Sequence, residues 1–207
     1  MKKCCIFGAL EPFGFERAAL DGATVYAADR GLERLEKLGI TPDYVIGDFD
    51  SLGYVPDPLP AEHLIKLPCE KDDTDIMSCV RHACERGARE FLIYGALGGR
   101  LDHTFANIQI TKRLAESGCR VKLYGDKYYA VAVNNGSITL EAKPGVRVSV
   151  FSLSDHANGV TLAGLKYPLA DAKLDANFPL GVSNEFSERI ACVSVECGTL
   201  LVLCDKM

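Results

Sequence analysis

Two short acidic stretches, Gly47-Asp48-Phe49-Asp50-Ser51 and Asp72-Asp73-Thr74-Asp75, carry residue types that do chemistry. A third segment, Gly98-Gly99-Arg100-Leu101-Asp102-His103, adds two glycines, a guanidinium, another carboxylate and an imidazole. Carboxylates are hard oxygen donors that suit Mg²⁺, which shares its shell readily with waters and phosphate oxygens. Paired glycines let backbone N–H groups approach phosphate, and arginine offers planar, paired donors. Together they suit a Mg²⁺–polyphosphate and the transfer of part of it. Each piece has a plainer reading. Gly-Asp and Asp-Ser are common turn chemistry, the acids around Thr74 complement a helix dipole, Gly98-Gly99 is a flexible turn, and His103 opens a helix. Three acidic sites, each at the end of a strand or helix, argue for the joint reading.

Such carboxylates must be brought to one rim, and the apolar patterning says how. Runs at 4–7, 24–28, 44–46, 91–94 and 121–124 are almost continuously apolar, as strands covered on both faces are. Between them, Leu32, Leu35 and Leu38 share a helical face stopped by Gly39. Thr74 caps a helix striped by Ile76, Met77, Val80, Ala83 and Cys84 and ended at Gly87. Leu101, Phe105, Ile108 and Ala115 predict a third buried stripe, ended at Gly118. The repeated β-α-β order predicts an open, mostly parallel sheet, and such sheets bind ligands outside the carboxyl ends of their strands. Asp29 follows the run 24–28, Asp48 and Asp50 follow 44–46, and the segment 95–102 follows 91–94. Asp48 and Asp50, two residues apart, can both face one ligand if Phe49 turns into the core.

After residue 126 the pattern becomes β-rich, with runs at 129–133, 137–140, 146–153, 159–162, 190–196 and 199–203. Asn135-Gly136 and Cys197-Gly198 read as two-residue hairpin turns, and no helix is expected after Ser117. The fold class expected is α/β: an N-terminal open, mostly parallel α/β sheet domain over 1–126, then a C-terminal all-β sandwich-like domain over 127–207, with almost no linker.

The 207 residues are 48% hydrophobic and 25% charged, ordinary for a soluble protein with a real core. A net charge of −5 argues against a primary role on nucleic acid, which wants a basic face. Nine cysteines, odd in number and without a C-x-x-C, read as small core residues in a reducing cytosol rather than as a disulfide framework or zinc site. No run approaches the ~20 apolar residues of a membrane span, and the N-terminus lacks the apolar run of a signal peptide. The expected location is cytoplasmic, with no membrane partner.

Taken in order, Ala28-Asp29, Leu38-Gly39-Ile40-Thr41-Pro42-Asp43, Gly47-Asp48-Phe49-Asp50-Ser51, Lys71-Asp72-Asp73-Thr74-Asp75 and Gly98-Gly99-Arg100-Leu101-Asp102-His103 resemble the successive motifs of thiamin pyrophosphokinases. Ser183-Asn184-Glu185-Phe186 is similar to that family's thiamin-site segment. The resemblance implies an α/β domain followed by a β-sandwich, and a homodimer with active sites at the subunit interface. It also implies transfer of the β,γ-diphosphate of ATP to the hydroxyethyl group of thiamin, with release of AMP. By this likeness Asp48, Asp50 and Asp75 hold Mg²⁺ on the ATP phosphates. Asp29 and Asp102 belong to the same acidic site, and Gly98, Gly99, Arg100 and His103 lie at the nucleotide. Ser183 and Asn184 face thiamin, across the dimer from the nucleotide domain. Arg100 steadies charge on the equatorial oxygens, and Asp102 or Asp75 takes the hydroxyl proton.

Two departures stand out. Asp29-Arg30-Gly31 occurs where the family commonly has Asp-Gly-Gly, so Arg30 either reaches a phosphate or is a solvated side chain. The chain has no tryptophan, which some members place against thiamin; Phe186 or a tyrosine is left to supply that face. An acidic Mg²⁺–ATP rim would look alike in a pyrophosphokinase acting on a hydroxymethyl-dihydropterin, in a Mg²⁺-dependent phosphohydrolase, or in a non-catalytic nucleotide sensor. The β-rich C-terminal part with Ser183-Asn184 favours thiamin.

Overall fold

A computed structural model describes residues 1–48, 60–68, 72–143 and 145–205. The strands are β1 (Lys2–Phe7), β2 (Ala23–Ala28), β3 (Tyr44–Gly47), β4 (Leu64–Lys66), β5 (Ala88–Leu97), β6 (Arg120–Gly125), β7 (Tyr128–Glu141), β8 (Arg147–Ser152), β9 (His156–Ala163), β10 (Leu169–Asp175), β11 (Gly181–Glu185) and β12 (Ile190–Asp205). The helices are α1 (Gly31–Lys37), α2 (Asp75–Glu85) and α3 (Leu101–Glu116). The result is a mixed α/β protein with many strands and few helices. It divides into two compact units: residues 1–110 with 123–126, and residues 111–122 with 127–207.

In the first unit the strand order is β5-β1-β2-β3-β4, and every pairing between these strands is parallel. β1 is central, and Cys4, Cys5, Ile6 and Phe7 are wholly buried, which is why its sequence is apolar without alternation. The chain builds outward from β1 through β2 and β3 to β4, then crosses back through α2 to place β5 on the other side of β1. The reversal makes a switch point at the carboxyl ends of β1 and β5, where an open α/β sheet offers a crevice. β4 was not foreseen, since three residues are too few to show a period.

Local signals set the helices. α1 stops where Gly39 turns left-handed (φ +63°) and Ile40 N–H donates to Leu35 O at 2.9 Å. Thr74 Oγ1 accepts from Met77 N at 3.2 Å and caps α2, a bond of a kind that contributes ~1 kcal/mol. α3 departs from expectation. Leu101 and Phe105 are 82% and 62% exposed, while Asn107, Ile110, Thr111, Leu114 and Ala115 are buried. A polar residue can lead the inward face because Asn107 Nδ2 donates to Ala96 O at 2.7 Å, so its burial leaves that donor satisfied.

The strand pairings within the second unit are antiparallel. β7 and β12 pair along their whole length, from Tyr128 opposite Asp205 to Glu141 opposite Ile190. The two expected hairpins are therefore corrected: neither Asn135-Gly136 nor Cys197-Gly198 reverses the chain. They face each other in one irregularity of the β7–β12 pair, where the register shifts between Val195 and Thr199. Asn135 (φ +43°) and Gly198 (φ +118°) take the left-handed backbone that the turn reading had assigned to a loop. On the other side of β12, residues 192–197 pair with β9 and residues 200–204 with β8. The bulge thus bends β12 between two sets of partners, a known use of bulges. Val148, Val150, Val160, Val193, Leu200 and Val202 fill the core of this unit and are wholly buried. β10 and β11 were not foreseen, because most of their residues are polar or small and leave no apolar run to read.

None of the eight described cysteines is assigned to a disulfide. Burial pushes the Cys5 thiol up to about 11 and Cys4 higher still, so both behave as core residues rather than nucleophiles. Among the described residues no helix is long and apolar enough to cross a membrane.

Candidate active site

The parallel order brings the carboxyl ends of β1, β2, β3 and β5 to one edge of the sheet, and most of the expected residues fall there. Asp29, directly after β2, has a left-handed backbone (φ +46°) that asparagine and aspartate tolerate better than most residues. Its N–H donates to Ile46 O at 2.9 Å, and its carbonyl accepts from Leu32 N at 3.1 Å. A Cβ on Gly47 would stand 3.0 Å from Asp29 Cα, so the glycine lets the two strand ends close on each other and sets Asp29 beside the backbone leading to Asp48. A Cβ on Gly31 would overlap the Phe7 carbonyl oxygen, so only glycine seats α1 over the end of β1. Arg30 instead turns to Glu33, at 3.2 and 3.3 Å, and is exposed, which is the solvated reading of that position.

At the switch point Gly95, Gly98 and Gly99 all have positive φ. Leu10, in the loop after β1, lies against Gly98 and Gly99. Thr104 Oγ1 accepts from Gly98 N at 3.1 Å, so that N–H is committed to the first turn of α3. Arg100 donates to Asp102 through Nη2 at 2.6 Å and Nε at 3.1 Å, and Asp102 Oδ1 also accepts from His103 N at 2.9 Å. The Arg100 guanidinium, helped by the His103 N–H, holds the Asp102 carboxyl below the usual carboxylate range.

Asp75 opens α2, and the next residue reaches the same edge: Ile76 Cδ1 would lie 3.3 Å from a Cβ on Gly8, directly after β1. Its neighbour Asp73 is instead paired with Arg81. Asp43, in the Thr41-Pro42-Asp43 segment, is structural: its Oδ2 accepts from Val25 N at 2.7 Å. Asp50 lies outside the described residues. Among those described, no three His, Cys, Asp or Glu side chains gather closely enough to hold a metal. Asp48 and Asp75, both partly buried carboxylates, have the donor chemistry that Mg²⁺ takes.

Ser183 and Asn184 lie on β11 in the second unit, and their side chains differ in exposure. Ser183 is exposed with φ +58°, and its N–H donates to Ser149 Oγ at 3.0 Å. Asn184 is 3% exposed, and its amide is spent on Tyr167: Nδ2 donates to Tyr167 O at 2.7 Å while Oδ1 accepts from Tyr167 N at 2.9 Å. Tyr167 itself is 60% exposed, whereas Phe186 is partly buried against the core.

Two features at the first unit's edge escaped the sequence reading. Asp126, just after β6, has Oδ1 3.8 Å from where a Cβ on Gly98 would be. It follows the apolar run 121–124 as Asp29 follows 24–28, so the signal was present. The other is the segment Gly8-Ala9-Leu10, which carries no charge to mark it but forms one wall of the switch point.

The sequence matches the description "Thiamin pyrophosphokinase, catalytic domain" over residues 16–123 and "Thiamin pyrophosphokinase, vitamin B1 binding domain" over residues 137–200. It is 28% identical over 181 residues to a thiamine pyrophosphokinase of Bacillus subtilis (strain 168), covering 84% of each chain. A crystal structure of thiamine pyrophosphokinase from Bacillus subtilis matches the fold with a TM-score of 0.82 at 25% identity, covering 99% of both chains. A thiamin pyrophosphokinase family protein from Enterococcus faecalis gives 0.81 at 26% identity, covering 100% of both.

Proposed function

Because the chain belongs to the thiamin pyrophosphokinase family and is an enzyme of that activity, giving thiamin diphosphate and AMP from thiamin and ATP, we propose how its residues divide the work. The pterin and hydrolytic alternatives are not favoured. Residues 1–126 form the nucleotide-binding domain, and residues 127–207 form a sandwich-like thiamin-binding domain. Asp48, Asp50 and Asp75 hold Mg²⁺ on the ATP phosphates, with Asp29 completing the acidic rim. Held there, Mg²⁺ would supply charge neutralisation on the phosphates and polarisation of the β-phosphorus. Gly98, Gly99, Arg100 and His103 border the nucleotide. What supports this is the meeting of separate strand ends at one edge, with Asp29 against Gly47.

The thiamin hydroxyl oxygen bonds to the β-phosphorus, the bond from that phosphorus to the oxygen bridging to the α-phosphate breaks, and AMP leaves with that oxygen. Arg100 turns toward the equatorial oxygens of the transferring group, guided by Asp102. The hydroxyl proton passes late in the reaction to a carboxylate of the rim, Asp102 or Asp75.

Thiamin carries a permanent thiazolium charge, and an exposed tyrosine face attracts such a cation. Tyr167 therefore supplies the stacking face, Asn184 is a positioning residue that acts through it, and Ser183 makes a direct polar contact. The working form is a cytoplasmic homodimer with active sites at the subunit interface.

The test is AMP release from Mg²⁺–ATP with and without thiamin, with the product identified by mass. Thiamin-dependent AMP matched by thiamin diphosphate is expected. AMP formation indifferent to thiamin would overturn the assignment of the acceptor.

A further inference from the structure

Lys166, Tyr167 and Glu185 form a small cation site that the chain fills with its own ammonium. Lys166 Nζ lies 5.6 Å from the centroid of the Tyr167 ring and donates to Glu185 Oε2 at 3.1 Å. The spacing between ring and carboxylate is set from below. Asn184 Oδ1 accepts from both Tyr167 N, at 2.9 Å, and Glu185 N, at 3.0 Å, and Lys166 N donates to Glu185 O at 2.9 Å. An aromatic face with a carboxylate beside it is a recognition site for an organic cation. Lys166 and Glu185 side chains are 52% and 54% exposed, so the ammonium can leave for water without unpacking anything.

We propose that Lys166 is a placeholder that decides specificity: it occupies the Tyr167 face and the Glu185 carboxylate until a heteroaromatic cation takes both. This rests on the reading in which Tyr167 receives thiamin. An ammonium is strongly hydrated and returns to solvent readily, whereas a thiazolium is flat and weakly hydrated and gains more from the ring. A neutral ring of the same shape can cover Tyr167 but cannot replace the ammonium at Glu185. The exchange therefore selects for fixed positive charge. Glu185 and Tyr167 raise the Lys166 ammonium above its ordinary value, so the placeholder stays charged near neutral pH.

The experiment measures KM for thiamin, and for its uncharged thiophene analogue, in the full-length enzyme at saturating Mg²⁺–ATP. Lys166→Met should lower the KM for thiamin about three-fold, the size of an exposed cation–π contact, and Lys166→Arg, whose flat and weakly hydrated guanidinium holds the ring more tightly, should raise it. Glu185→Gln should raise the KM for thiamin about three-fold and leave that of the thiophene analogue unchanged. A KM for thiamin that is unchanged or raised in Lys166→Met, or an equal shift for both acceptors in Glu185→Gln, overturns the placeholder. Tyr167→Leu separates the two levels. If it leaves the KM for thiamin unchanged, the ring is not the seat of thiamin and both readings fall. If it raises that KM while Lys166→Met has no effect, only the placeholder falls.

Discussion

Arg100 and Asp102 hold each other by two hydrogen bonds, at 2.6 and 3.1 Å, although their side chains are 71% and 64% exposed. A pair so open to water adds little to stability. Its consequence is directional: the guanidinium is held at the mouth of the glycine loop, pointing along a line set by the first turn of α3.

Asp102→Asn should therefore reduce kcat/KM for ATP about ten-fold, the size of one lost charge-assisted contact, while the melting temperature stays within about 1 °C of wild type. The pH dependence follows from the same pair. A carboxyl whose folded pKa is depressed keeps its partner above the ordinary range and loses it only as pH falls through the lowered value. The acid limb of the pH–rate profile should then coincide in wild type and Asp102→Asn above about pH 5. A limb that moves with the substitution would make Asp102 the titrating base.

Asn184→Ala should do two things at once. It strips partners from the Tyr167 N–H and C=O, which should lower unfolding stability by about 1–3 kcal/mol in denaturant titrations. It should also raise the KM for thiamin several-fold with the KM for ATP unchanged, since the Tyr167 ring loses its anchor. Equal changes in both KM values would point to general loosening instead.

Positions 30 and 31 should respond oppositely to small changes. Gly31→Ala puts a methyl into the Phe7 carbonyl oxygen and should leave little folded protein at 37 °C by circular dichroism. Arg30→Gly removes only an exposed pair with Glu33 and should change kcat/KM less than two-fold. A large loss in Arg30→Gly would show that the guanidinium reaches the nucleotide.

The acids proposed for Mg²⁺ repel one another without it. Mg²⁺ with a nucleotide should raise the unfolding free energy by about 2.7 kcal/mol at a hundred times its Kd. Asp75→Asn or Asp50→Asn should raise the metal-free melting temperature, erase most of the Mg²⁺ effect and lower kcat at least about 100-fold. A variant with wild-type turnover would remove its residue from the site.

Much of the first unit was legible because its signals are local. Continuous apolar runs mark β1, β2 and β3, Gly39 stops α1, and Thr74 starts α2. The strand-end rule then located Asp29, Asp48 and the Gly98-Gly99 loop without any knowledge of contacts, and applied to β6 it would have found Asp126 as well. The failures were long-range. Asn107 could take the inward face of α3 only because a carbonyl from β5 waits there. Asn135-Gly136 and Cys197-Gly198 carry sound turn chemistry, yet they meet in one bulge from far apart in sequence: Gly198 N donates to Asn135 Oδ1, 63 positions away, at 2.8 Å, and Asn134 Nδ2 to Thr199 Oγ1 at 2.9 Å. The task of Asn184 was equally hidden, since a motif position shows which residue is present and not which way it faces.

The partner-changing strand β12 also fixes an order of events during synthesis. It is the last strand described, yet it lies between β7 on one side and β8 and β9 on the other. On the ribosome, β7 through β11 emerge with their central member missing, and their pairings with it span large separations in sequence, which are slow to close. All residues of the first unit have been synthesised once residue 126 is reached. The nascent second unit instead carries unpaired strand edges until about residue 205 is free, the interval in which it is most exposed to misassembly and most in need of a chaperone.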